Sequence, residues 1–208
     1  MQEMGIKSRT RKKFVATTDS THNNPVADNV LDRDFEASEL GKAWVSDITY
    51  VRLKDHWAYL TVMLDLADRA VVGWSLSCDM TAEHTVVAAW ADARSNRSIL
   101  PGFLLHSGRG VQYTCKRFAD IISLNKHTGQ SMSRKGNCWD NAVAESFFKI
   151  IKYEELNHHK FDSYEQLYDC IEQYIQWYNT KRIHSSLGYK TPIETEIKIR
   201  NQNRNRAA

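Results

Sequence analysis

Two acidic residues in this chain of 208 residues have the types and surroundings that suit phosphoryl chemistry. Asp47 lies in WVSDITYVRL, a β-branched and aromatic segment that predicts a strand, and a carboxylate there costs desolvation energy unless it is paired or binds a cation. Glu145 lies in NAVAESFFKIIK, where Asn141, Lys149 and Lys152 share its helical face. In this arrangement the carboxylate could bind a metal ion, and the two lysine side chains could bind a phosphate backbone next to it.

Both patterns also have a plainer interpretation. Asp47 can lie on a solvent-exposed strand face, and Glu145 with Lys149 forms an ordinary i,i+4 pair on an amphipathic helix.

A polar stretch between the two acids, HSGRGVQY (residues 106–113), follows the apolar run FLL. Two glycines around Arg109 suggest a phosphate loop, so a phosphate- or nucleotide-binding protein using Gly108, Arg109 and Gly110 is one hypothesis. It ranks last, because the Lys-Ser/Thr of a P-loop is absent and no GxGxxG opens a helix.

Composition favours a folded, reduced protein. The chain is 42% hydrophobic, with 28 Lys+Arg against 25 Asp+Glu, and the basic residues crowd both ends, which indicates either nucleic-acid contact or solubilising tails. The four cysteines lack metal-ligand spacing, and the adjacent His158 and His159 are predicted to be surface residues. We find no signal peptide and no membrane span, and we therefore expect a cytoplasmic protein that does not contact membranes.

The order of predicted elements indicates an α/β protein with a mixed sheet. Residues 1–40 are polar and predicted to be a linker or a remnant of a preceding region, residues 41–195 form the core, and residues 196–208 are a basic polar tail. Within the core we predict a three-stranded meander, a helix from Thr81 (its N-cap) to about Ala93, a strand ending near residue 107, and helices over 116–124, 141–156 and 163–179. The polar cluster in YNTKRIHSSLGY is predicted to be structural.

Five ordered motifs resemble the catalytic subunits of DDE-class insertion-sequence transposases of the IS-three group, which are related to retroviral integrases. The motifs are WVSDITYV, LDLADRAVVGWSLS, HSGRGVQY, SMSRKGNCWDNAVAESFFK and YNTKRIHSSLGYKTP. The resemblance covers residues 44–192. It implies an RNase H-like core: a five-stranded mixed sheet flanked by helices, with a C-terminal helical extension.

The resemblance also implies a catalytic site. It assigns Asp47 and Glu145 as metal-binding acids for Mg²⁺ or Mn²⁺ in a two-metal site that cleaves and transfers DNA strands. The second catalytic aspartate falls at Gly108, which has no side chain, and 36 residues separate it from Glu145, one more than the family's usual spacing. We therefore expect weakened metal binding and an enzyme that is inactive or strongly impaired. Asp65 and Asp140 are considered as substitutes, with a strand-end turn and a helix N-cap as their plainer roles.

DNA is the expected partner. The candidate DNA-binding residues are Lys149, Lys152, Asn141, Arg109, Arg134 and Lys135. The resemblance further implies that the DNA comprises transposon ends and a target, and that a homo-oligomer binds it. It also implies an intact transposase or a separate DNA-binding subunit as other partners, and a nucleoid-associated location in the cytoplasm of a bacterium. The competing hypothesis is a non-catalytic DNA-binding or inhibitory form of a transposase, either a decayed remnant or a disarmed derivative.

Overall fold

A five-stranded mixed sheet forms the centre of the molecule, with strand order β3-β2-β1-β4-β5. The computed structural model describes residues 22–124 and 128–207. The strands are β1 Ala43–Leu53, β2 His56–Asp65, β3 Val71–Ser77, β4 Phe103–Ser107 and β5 Thr128–Met132. β1 to β3 form the predicted antiparallel meander, whereas β4 pairs in parallel with both β1 and β5. The five-stranded mixed sheet that the family resemblance implies is confirmed.

Helices cover both faces of the sheet. They are α1 Ala88–Asn96, α2 Val111–Thr114, α3 Lys116–Ser123, α4 Ala142–Glu154, α5 Tyr164–Thr180 and α6 Pro192–Ala207. A π-helical turn, Glu83–Val87, precedes α1, and the hydroxyl of Thr81 donates to Asp79 rather than capping the helix. Within the described ranges, none of the helices combines the length and the apolar character that a membrane crossing needs.

The alternation of side chains along β1 divides the core into two layers. Val45, Val51 and Leu53 face a cluster built with α4 and α5, while Trp44 and Ile48 face a second cluster built with α1 and α3. Since odd-numbered positions of β1 share one face, Asp47 lies on the face that α4 covers.

Three parts of the chain differ from the sequence-based predictions. The strand β5 was not predicted from its own residues, because TGQSM has little β-branched or aromatic character. Residues 196–207, predicted as a polar tail, are helical, and Glu196 pairs with the buried Arg97. Residues 22–40 pack on the core rather than forming a free linker: Leu31 is buried and Ser131 Oγ accepts from its amide at 3.0 Å. Residues 1–21 of the predicted linker or remnant lie outside the described residues.

The polar cluster after α5 has intramolecular partners. Asn179 exchanges two hydrogen bonds of 2.9 Å with the backbone of Val71, at the start of β3. Arg182 pairs with Glu154 at the end of α4, with its Nη2 2.6 Å from Oε1. These contacts support the structural role predicted for the cluster.

Candidate active site

The parallel pairing of β1 and β4 brings Asp47 beside Gly108. The last paired positions are Ser46 and Ser107, so Gly108, the first residue after β4, lies beside Asp47, the next residue of β1. A Cβ atom on Gly108 would lie 3.7 Å from Asp47 Oδ1, an ordinary van der Waals distance. Gly108 is not among the glycines with a positive φ. The backbone at position 108 would therefore accept a side chain pointing towards Asp47.

Helix α4 lies across the same region and is held to β1 at two points. At its start, the Asn141 amide donates to the carbonyl of Ser46 at 3.0 Å, and near its end Lys152 Nζ donates to Thr49 Oγ1 at 2.6 Å. The acceptors flank Asp47 in β1. Glu145, one helical turn after Asn141, is exposed, and the structure brings its charge within electrostatic range of Asp47.

Burial and like charge make the Asp47 carboxyl a weak acid. Desolvation raises its pKa from 3.8 to about 7, the Ile48 amide opposes this, Glu145 raises the pKa further and Lys152 lowers it. Desolvation also raises the pKa of Glu145. An acid held in a buried position beside a second carboxyl is a common feature of functional sites.

The predicted basic face of α4 divides into exposed and inward-directed side chains. Lys149 is exposed, whereas Lys152 is half-buried, lies 5.5 Å from the centre of the Tyr50 ring and has its pKa lowered by burial. Asn141 is buried and tethers the helix. Of the three, Lys149 is the one free to meet a phosphate backbone.

The other predicted DNA-binding residues differ in their availability. Lys135 is exposed. Arg134 is half-exposed but pairs with the buried Asp140 and with Asp32 at 2.8 and 3.1 Å, so its charge is already largely neutralised. Arg109 is half-buried beside Gly108, and its Nε atom has no hydrogen-bond partner among the described residues.

Asp65 and Asp140 have protein partners of their own. Asp65 accepts from the Trp44 indole and from Arg97, at 3.0 and 2.9 Å. Asp140 precedes α4 in a 3₁₀ turn, where it makes no cap hydrogen bond and is held by Arg33 and Arg134. These hydrogen bonds keep its pKa well below the usual range. The N-cap prediction for Asp140 is therefore wrong, and neither acid is free to replace a ligand at position 108.

A buried hydrogen-bond layer below the site was not predicted. Ser46 Oγ lies 2.8 Å from Tyr113 Oη and donates to the carbonyl of Val62, which fixes the strand directly before Asp47. His106 lies between the hydroxyls of Ser131 and Ser133, and burial lowers its pKa to about 4. The polar character of HSGRGVQY was the available signal for Tyr113 and His106.

The phosphate-loop alternative lacks a helix that could support it. Gly110 is followed by α2, a single turn of four residues, Val111–Thr114. The loop is packed instead by the N-terminal segment, since His22 Nε2 lies 2.8 Å from the carbonyl oxygen of Arg109.

Known proteins share both the sequence and the fold. Two family models, each described as an integrase core domain, match residues 37–138 and 126–192. A Shigella sonnei protein, the insertion element IS600 uncharacterized 31 kDa protein, is 38% identical over 192 residues, which are 92% of this chain and 70% of that protein. Transposase InsF for insertion sequence IS3A of Escherichia coli (strain K12) is 36% identical over 203 residues, covering 95% of this chain and 68% of the transposase.

A solved structure shares the architecture at low sequence identity. The HTLV-2 integrase catalytic core domain in complex with magnesium, in its dimeric form, has a TM-score of 0.54 and 20% identity, covering 74% of this chain and 94% of that one. This likeness confirms the predicted RNase H-like fold. With relatives of 36–38% identity over most of its length, the chain belongs to the insertion-sequence transposases of the IS-three (IS3) group and constitutes an integrase-type catalytic core.

Proposed function

We propose that this chain retains the DNA-binding surface and catalytic scaffold of a transposase but is impaired in strand cleavage and strand transfer. The observation that carries the proposal is Gly108, which offers no carboxylate at a point 3.7 Å from Asp47 Oδ1. Asp47 and Glu145 supply two acidic side chains of a site that would need three.

The two acidic side chains that are present would bind a hard divalent cation, but only weakly. Asp47 and Glu145 offer carboxylate oxygens, the ligands that Mg²⁺ and Mn²⁺ prefer. Burial raises the pKa of both carboxyls, and a bound cation would favour their ionised forms. When bound, such an ion activates the attacking oxygen and stabilises the leaving oxygen at a phosphodiester. This chain's own contribution is to hold Asp47 on β1 and Glu145 on α4, with Lys152 limiting their mutual repulsion.

We propose exposed cations as the DNA contacts. Lys149 lies one turn beyond Glu145 and Lys135 precedes α4, and both are exposed. Arg109 adjoins Gly108 but is only half-exposed, and its Nε has no hydrogen-bond partner among the described residues. The DNA would be the ends and target of an insertion sequence in the cytoplasm of a bacterium, bound by a homo-oligomer.

The same glycine favours a second candidate function, an inhibitory one. A chain that binds DNA and joins multimers of an intact transposase, but lacks a carboxylate at position 108, would lower the activity of the mixed assembly. Adding this chain to an active relative separates the two functions: inhibition supports the second, and no effect opposes it.

Substituting Gly108→Asp tests the proposal. Because position 108 accepts a side chain without a backbone change, we expect tighter Mg²⁺ or Mn²⁺ binding by calorimetric titration, and a gain in metal-dependent nicking of DNA that carries the element's ends. Gly108→Asn is the matched control, since it has the same size without the charge. Equal metal affinity in the Gly108→Asp variant, the Gly108→Asn control and the unsubstituted chain would contradict the proposal.

A further inference from the structure

Three potential metal ligands converge at the far end of α4 from the candidate active site. Glu155 follows α4 directly, His159 follows the next 3₁₀ turn, and Cys170 lies on α5. Glu155 Oε1 lies 3.0 Å from His159 Nε2 and 3.6 Å from Cys170 Sγ. All three ligand atoms lie within 4.8 Å of one another.

We propose that Glu155, His159 and Cys170 form a binding site for a thiophilic divalent transition metal, with Zn²⁺ as the best match. Sulfur, imidazole nitrogen and carboxylate oxygen are the three ligand types of protein zinc sites, whereas Mg²⁺ takes oxygen ligands. Zinc bond lengths of about 2.0–2.3 Å place tetrahedral ligand atoms about 3.3–3.8 Å apart, so the widest pair here must close by about 1 Å.

The surroundings allow a metal to enter. The side chains of His159 and Glu155 are 51% and 35% exposed, and a cleft of about 370 Å³ lies beside Glu155 and Cys170. Tyr174 and Trp177 line that cleft. The three protein ligands leave a fourth tetrahedral position, which water can fill from this side.

Metal binding would release a proton from the thiol of Cys170. Burial and the neighbouring Glu155 carboxylate raise the pKa of the Cys170 thiol to about 11, so the metal-free cysteine is protonated at neutral pH. On binding, the S–H bond breaks, a metal–sulfur bond forms and the proton passes to solvent.

The site is separate from the acidic pair and would connect two elements of the core. Glu145 and Glu155 are ten residues apart, about 15 Å along a helical axis. The bound metal would hold the end of α4 to α5, which a hydrogen bond from Tyr174 to Glu154 also joins here. Arg182, two residues after α5, pairs with the same Glu154. Such a link constrains the helix that carries Glu145.

Zinc titration of the chelator-treated full chain tests the inference. We expect about one equivalent of Zn²⁺ to bind, a higher melting temperature with the metal, and a thiolate-to-metal charge-transfer band when Co²⁺ replaces Zn²⁺. Cys170→Ser and His159→Gln should each weaken binding by at least about tenfold. The matched controls Cys138→Ser and His158→Gln should retain it.

A second measurement keeps the test valid if a variant fails to fold. In the unsubstituted chain, Zn²⁺ should slow alkylation of Cys170 but not of the exposed Cys78. Asp47→Asn should leave zinc affinity unchanged, which excludes binding at the acidic pair. No zinc binding, zinc binding that survives Cys170→Ser, or equal alkylation of Cys170 with and without zinc would overturn the proposal.

Discussion

Replacing Asp47 with asparagine should stabilise the metal-free protein, by an amount that depends on pH. The pKa of Asp47 is raised from 3.8 to about 7, chiefly by burial and then by Glu145. At 1.36 kcal/mol per pKa unit, ionising this carboxyl in the folded chain costs about 4 kcal/mol. Because the side chain keeps some contact with solvent, we expect about 2–4 kcal/mol in the free energy of unfolding. An asparagine of the same shape avoids this cost.

The direction of the pH dependence follows from the number of protons that the folded and unfolded states bind. Between about pH 4 and pH 7 the folded chain holds the Asp47 proton and the unfolded chain has lost it, so the unsubstituted protein loses stability as pH rises. Below about pH 4 both states are protonated and the loss disappears. The advantage of Asp47→Asn should therefore be small near pH 4 and full above pH 7.

Urea unfolding with a chelator present, at about pH 5 and pH 8, measures the effect. Asp55→Asn, which removes a carboxylate from the exposed turn between β1 and β2, controls for the change in net charge. Groups that titrate in this range without contact with Asp47 are common to both proteins and cancel, whereas Glu145 and Lys152 are coupled to Asp47 and belong to the measured effect. A stability difference between the Asp47→Asn and unsubstituted proteins that stays constant from pH 5 to pH 8 would refute the electrostatic reasoning.

Two further substitutions test the other roles assigned above. Arg182→Ala should lower the free energy of unfolding by about 1–3 kcal/mol in urea titrations, because it leaves the half-buried Glu154 without its charged partner. Lys181→Ala, at the exposed neighbouring position, is the matched control. Unchanged stability of Arg182→Ala together with lost DNA binding would indicate a DNA contact instead. Lys149→Ala should weaken DNA binding and reduce the slope of log affinity against log salt concentration by about one. The control Lys160→Ala should change neither the affinity nor the slope. Equal slopes for Lys149→Ala and the unsubstituted protein would show that Lys149 does not contact the DNA.

The sequence allowed β1 to β4 and the main helices to be predicted because their apolar patterns are strong. Alternation in β1 and helical spacing in α5 both reflect burial that the structure confirms. β5 could not be predicted, since its stability comes from pairing with β4 rather than from its own residues. The helical state of residues 196–207 likewise depends on tertiary contacts, among them the ion pair between Glu196 and Arg97.

The directions of individual side chains were harder to predict than their helical faces. Lys149 and Lys152 share a face of α4 in sequence, yet Lys152 turns towards Thr49 because β1 lies beneath that end of the helix. Arg134 is neutralised by Asp140, six residues later, a pairing that a linear pattern does not reveal. His159 and Cys170 lie eleven positions apart, outside the usual zinc spacings, and meet because α5 folds back on α4.

The central position of β1 has a consequence for the newly synthesised chain. β1 lies between β2 and β4, but β1, β2 and β3 leave the ribosome before β4. Until residues 103–107 are made, one side of β1 is an open edge beside an apolar face, the arrangement that promotes pairing with other chains. We expect slow translation of residues 78–102 to prolong that exposure and increase aggregation, and synonymous codons that speed this stretch to raise the soluble yield.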